Sequence, residues 1–157
     1  QHERNGLSGM GGGGMGGGSS LPKMAKDYVG VDEDGKIADG DLRTRVIQNE
    51  MDWRAFQQTA MRAFAESRNS NSGPNTTTSI MKNASTQALQ QRAELTLEIM
   101  GHQGLGWEGE DFTPQELGAV RTWLGGKATT IYGGSQEVQN NIISKRILGL
   151  PDLTQSQ

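Results

Sequence analysis

At 157 residues the chain is long enough for one domain with a real core, but only 32% of it is hydrophobic and 5% aromatic, so that core must be lean. A formal net charge of −3 and a pI near 5.4 leave no basic footprint for nucleic acid or an anionic membrane. With no cysteine, and with His2 and His102 as its two histidines, the chain has no disulfide, no thiolate nucleophile and no Cys- or His-type metal cluster.

No apolar run approaches the ~20 residues that span a bilayer, and no signal-peptide pattern opens the sequence. The first residue is Gln1 rather than Met, which reads as a fragment or processed product. A soluble, cytoplasmic, helical piece is expected.

Residues 6–18, GLSGMGGGGMGGG, hold nine glycines and two methionines. Helix propensity favours a linker here, because glycine costs a helix ~1 kcal/mol per position relative to alanine. Met10 and Met15, flanked by Leu7, Leu21 and Met24, favour a buried helix trimmed on one face instead. The next stretch, VGVDEDGKIADGD, is acidic and rich in turn formers. It lacks the alternating ligands and late Glu of a calcium loop, so a solvated surface turn is the reading.

Asp41 suits the cap of a helix beginning at Leu42. Leu42, Val46, Trp53, Phe56, Ala60 and Phe64 fall at intervals of three, four and seven residues and predict one apolar stripe over about six turns. A polar hinge, SRNSNSGPNTTTS (67–79), separates it from a second stripe through Ile80, Ala84, Ala88, Leu95 and Ile99 that stops at Gly101. Two long helices joined by a short connection predict an antiparallel pair. Thr113 and Pro114 are placed as N-cap and N1 of a shorter helix through Leu117, Val120 and Leu124, ending before Gly125-Gly126. A last helix capped by Ser135 carries Val138, Ile142, Ile143 and Ile147 and stops at Gly149 and Pro151.

The elbow before that last helix, Gly133-Gly134-Ser135, presents backbone N–H groups at the positive end of a helix, where anions bind; Tyr132 is placed to pack on a ligand's apolar part. A plain turn with a helix cap accounts for the same residues. The longer string TIYGGSQEVQNNIISKRILGLP (130–151) resembles the closing helix of acyl-CoA dehydrogenases, whose hallmark there is roughly T-I-Y-x-G-[ST]-x-x-[IV]-Q-x-x-I-I. EIMGHQGLGW (98–107) resembles the family's glycine turn after the penultimate long helix. QHERNGLSG resembles the start of the C-terminal domain's first helix.

The resemblance implies an all-α fold, an antiparallel up-and-down four-helix bundle, spanning 1–151 with a flexible tail at 152–157. It implies that residues 1 to about 28 form the first long helix, glycines on a tightly packed face, and that the family's N-terminal helical and middle β-domains are absent. The implied activity is FAD-dependent α,β-desaturation of an acyl-CoA thioester. A carboxylate removes the α-proton, its pKa raised in a water-poor pocket, while the β-hydride moves to the flavin.

In one branch of the family the base directly follows the elbow tyrosine, but Gly133 stands there. In another it lies in a Glu-Arg pair on the first helix, which His2-Glu3-Arg4 matches, making Glu3 the implied base and Arg4 its substrate-side neighbour. The resemblance points to Ser135, Glu137, Glu98 and His102 for the flavin, the last two toward a neighbouring subunit's dinucleotide, and to Gly134 for a backbone contact to substrate. KDYVGVDEDGKIADG stands where many members carry Arg-x-x-Phe-Gly, so an arginine that meets flavin phosphate is missing. Homo- or hetero-oligomers and an electron-transferring flavoprotein as acceptor are the implied partners. Two other readings stand beside the enzyme: a non-catalytic subunit of a hetero-oligomeric dehydrogenase, and a helical interaction module.

Overall fold

The computed structural model describes residues 20–69 and 77–151, and its order is helical throughout. Helix α1 is Leu21–Val29, α2 Gly40–Asn69, α3 Thr77–Met100, α4 Pro114–Gly126 and α5 Gln136–Ile142. Turns of 3₁₀ helix follow α3 (Gly101–Leu105) and α4 (Lys127–Thr130), and a wider π turn (Ile143–Ile147) extends α5. The all-α expectation holds: the described residues contain no strand, only an isolated bridge between Val31 and Ile37. None of these helices is long and apolar enough to cross a membrane.

The central element is α3, which packs against each of the other four helices. Its antiparallel course along α2 is fixed by two cross-links: Arg45 near the start of α2 meets Glu98 near the end of α3, and Glu50 meets Arg92 at 2.7 Å. Leu21, Met24 and Ala25 of α1 fit between Leu42 and Val46 of α2 and Leu95 and Ile99 of α3, and Ile37 closes the cluster. Leu21 and Val46 are the largest side chains fully removed from water.

Several boundaries differ from those read in the sequence. A single helix over 1–28 fails at Ser20, whose extended backbone (ψ 148°) precedes a fresh start at Leu21 with Pro22 in the first turn. Proline is welcome there because its missing N–H has no helical partner to lose. Residues 1–19, with Glu3 and Arg4, and the expected tail at 152–157 lie outside the described residues. The cap of α2 is Asp39 rather than Asp41: Asp39 Oδ1 accepts the Leu42 N–H at 2.9 Å, while Asp41 sits in the first turn and pairs with Arg45. The 67–79 hinge is shorter than expected, since α2 continues to Asn69 and α3 begins at Thr77.

The expected α2 stripe is buried only at its start. Leu42 and Val46 are inside, Trp53 and Phe56 stack at 5.4 Å half-buried, and Phe64 is 67% exposed. Helix α1 spans nine residues, and its core contacts end at the level of Val46. The α3 stripe behaves alike: Ala88, Leu95 and Ile99 are buried, Ile80 and Ala84 exposed. The acidic loop is the expected surface turn. Asp32 Oδ1 accepts the Asp34 and Lys36 amides, and Arg43 holds its other oxygen at 3.1 Å.

Candidate functional site

Helix α4 is anchored as expected at Thr113 and Pro114, and its anchor is stronger than the sequence reading proposed. Thr113 and Glu116 form a reciprocal capping box, and Tyr28 Oη donates to Glu116 Oε1 at 2.8 Å, tying α1 to α4. The Thr113 amide, then the Tyr28 hydroxyl, hold the buried Glu116 carboxyl below the usual range. Burial, then this bond, push Tyr28 up to about 12. Gly125 and Gly126 do not stop α4. They are its last two residues, and a 3₁₀ turn carries the chain on to the elbow.

At the elbow, Gly133 (φ +70°) and Gly134 (φ +96°) both occupy the left-handed region that L side chains rarely adopt. Together they reverse the chain so that α5 starts at Gln136 with Ser135 as cap, its hydroxyl accepting the Val138 N–H at 3.5 Å. Tyr132 is exposed beside it. Val138, one of the apolar positions of this helix, is half exposed, and Gln139 is buried at 4%. The reason lies in the elbow. Gln139 Nε2 donates to the Gly133 carbonyl at 2.8 Å, and a Cβ on Gly134 would stand 2.8 Å from that same nitrogen.

Lys82 of α3 reaches the other side of the elbow. Its ammonium lies 3.4 Å from the Thr130 carbonyl, and Asn83 donates to Asn140 Oδ1 at 2.9 Å. Between them opens a polar cleft of about 310 Å³ whose wall includes Lys82, Asn83, Thr86, Thr130 and Gln136. The Ser135 hydroxyl, Glu137's own backbone N–H and, more weakly, Lys82 hold the Glu137 carboxyl below its ordinary range. Glu137 is therefore an ionised acceptor and a weak proton acceptor.

Glu98 and His102 stand at the far end of α3. Glu98 is in the last turn, its two oxygens taken by the two terminal nitrogens of Arg45, and this contact lowers its carboxyl pKa. His102 is exposed in the following 3₁₀ turn, which docks so tightly that a Cβ on Gly104 would lie 2.7 Å from the Leu97 carbonyl oxygen. From Lys82 to Glu98 is sixteen residues of continuous helix, or ~24 Å. The structure thus brings Gly134, Ser135 and Glu137 together at one end and Glu98 with His102 at the other, and it does not join the two groups.

The family model described as the acyl-CoA dehydrogenase C-terminal domain matches residues 1–148, and the chain belongs to that family. It is 32% identical over 133 residues to acyl-CoA dehydrogenase IpdE1 of Mycolicibacterium smegmatis, covering 85% of this chain and 30% of that protein. It is 41% identical over 58 residues to acyl-CoA dehydrogenase IpdE1 of Mycobacterium tuberculosis, covering 37% of this chain and 14% of that protein. Its fold is similar to that of a chain in the crystal structure of the ChsE4-ChsE5 complex from Mycobacterium tuberculosis, with a TM-score of 0.66 and 19% identity over 85% of this chain and 34% of that one. The chain therefore spans about a third of the length of the smegmatis relative and of that solved chain.

Three residues at these ends were missed in the sequence reading. The Arg45–Glu98 and Lys82–Thr130 contacts gave no signal, because these partners are distant in the chain. Gln139 did: it falls on the fixed glutamine of the family hallmark.

Proposed function

We propose that this chain is the C-terminal bundle of an FAD-dependent acyl-CoA dehydrogenase that desaturates an acyl-CoA thioester between its α and β carbons, with the N-terminal and middle domains lying outside it. The observation that carries this is the elbow: two left-handed glycines on the family motif open the mouth of α5 beside an exposed tyrosine and a polar cleft. The residues fit a dinucleotide. Helix-start amides suit an anionic or hydroxylated edge, Ser135 supplies a hydroxyl, and ionised Glu137 suits a ribose hydroxyl rather than a phosphate. Flavin held there supplies the acceptor for the β-hydrogen.

The chain's own residues then divide the remaining work. Gly134 offers its backbone to the thioester side. Gly133, directly after the elbow tyrosine, carries no carboxylate, and the match of His2-Glu3-Arg4 to the family's Glu-Arg pair assigns the base to Glu3 and the substrate-side neighbour to Arg4. Glu98 and His102, ~24 Å along α3, serve a second dinucleotide on a neighbouring subunit. Glu98 reaches it already neutralised by Arg45, which suits hydroxyl groups better than pyrophosphate.

A non-catalytic role in a hetero-oligomer is the second reading, and one observation favours it: the candidate residues fall in two groups at opposite ends of α3, with a glycine rather than a carboxylate at position 133. An unlike subunit would complete both. The solved neighbour is itself a complex of two proteins.

The test is a visible-absorbance scan of the full-length protein, alone and with a co-encoded homologue, followed by turnover of Glu3→Gln with electron-transferring flavoprotein as acceptor. Bound flavin with a large loss of turnover supports the enzyme. Flavin bound with unchanged turnover removes Glu3, and no flavin in any combination removes the proposal.

A further inference from the structure

We infer that Gln139 is the positioning residue of the elbow: by holding the Gly133 carbonyl inward, it aims the Gly134 N–H outward at the ligand. This rests on the elbow's role proposed above and adds the group that sets its geometry.

The peptide between Gly133 and Gly134 is trans, as is every described peptide bond, so its C=O and N–H point in opposite directions. Gln139 Nε2, from one turn into α5, takes the oxygen at 2.8 Å and is itself buried at 4%. With the oxygen turned into the protein, the Gly134 amide faces away from it, and among the described residues no backbone carbonyl accepts from that amide. A peptide between two glycines is otherwise weakly restrained and free to flip. A single hydrogen bond from a fixed side chain removes that freedom before any ligand arrives, which is what preorganisation requires.

The same amide also decides what position 134 can be. Its nitrogen fills the space a Cβ would need, at 2.8 Å, so Gln139 and Gly134 are sterically matched as well as joined through the Gly133 carbonyl. A purely apolar inner residue at 139 would fill the volume and leave the carbonyl without a donor. The charged groups near the elbow, Lys82 and Glu137, do not substitute: Lys82 is engaged at Thr130 O and Glu137 at Ser135.

The experiment uses the full-length enzyme, with its partner subunit where flavin retention requires one, as wild type, Gln139→Leu and Gln139→Glu. Gln139→Leu is expected to lower kcat/KM for an acyl-CoA thioester about 10- to 100-fold with flavin content and melting temperature near wild type. Gln139→Glu is expected to regain activity as pH falls, because only the protonated carboxyl can donate to Gly133; a residue that merely fills space shows no such recovery. Hydrogen exchange of residues 131–136 reads the geometry without turnover and is expected to quicken about tenfold in Gln139→Leu. Unchanged exchange, or wild-type kcat/KM in both variants, overturns the positioning role. A wild-type protein with faster exchange on Gln139→Leu but no flavin or turnover keeps the geometry and overturns the enzymatic reading instead.

Discussion

Arg45 holds Glu98 with both terminal nitrogens of its guanidinium, and a third contact from its Nε to Asp41 at 2.9 Å fixes the arginine's other edge. One side chain thus locks the start of α2 to the end of α3 and decides which way the Glu98 carboxylate looks. Arg45→Gln is expected to cost less than about 1 kcal/mol in a denaturant titration, because the pair is half exposed and screened by water. On the proposed role of Glu98 at a neighbouring dinucleotide, Arg45→Gln is expected to speed flavin dissociation from the assembled full-length protein. Equal flavin retention by wild type and variant would release Glu98 from that role.

Tyr28 and Glu116 connect α1 to α4, and their titrations run in opposite directions. The Tyr28 pKa is raised to about 12, so its contribution is complete below its ordinary value near 10 and is lost as pH rises through about 12. The Glu116 pKa is lowered, so its contribution is present above the unfolded carboxyl pKa and is lost as pH falls through the folded one. Tyr28→Phe is expected to lower stability by about 1 kcal/mol at pH 7 and to flatten the loss of melting temperature between pH 10 and 12. Thermal melts across that window check both.

Gly134→Ala forces an L residue to φ +96° and drives its Cβ against Gln139 Nε2. A loss of about 2 kcal/mol is expected, of which roughly 1 kcal/mol is backbone strain shared by Gly133→Ala. Because the remainder is a clash with one side chain, Gly134→Ala combined with Gln139→Ala loses less than the sum of the two single variants. A double-mutant cycle by chemical denaturation measures the coupling.

Along α2 the cost of shortening a side chain follows depth rather than apolar character. Val46→Ala is expected to cost about 2 kcal/mol, whereas Phe64→Ala, at 67% exposure, costs under about 1 kcal/mol. Asp39→Ala removes the cap and costs about 1 kcal/mol, and Asp41→Ala less, in the same titration.

These contrasts show what the residues reveal on their own. Period and punctuation located the helices: the α3 stop before Gly101, the Thr113-Pro114 start and the Ser135 cap are local physics and are found where expected. Depth was not legible. Leu42 and Phe64 share one stripe, but whether a position is covered depends on what lies over it, and the core contacts of α1 stop near Val46. Asp41 as the cap failed because the helix begins at Gly40, and only backbone geometry decides which oxygen meets an amide. The elbow was legible as a motif but its support was not, since a buried glutamine inverts the rule that the inner face is apolar. Pairings across the fold, such as Lys82 with Thr130 or Arg45 with Glu98, leave no trace in local spacing.

The unbroken run of α3 makes it a ruler. Each residue sets 1.5 Å of length and 100° of rotation, so adding or deleting one residue between Thr86 and Leu97 would swing the glycine turn a quarter-circle or more away from its bearing on the elbow. The rod absorbs no such change in length, because α3 packs against each of the other four described helices.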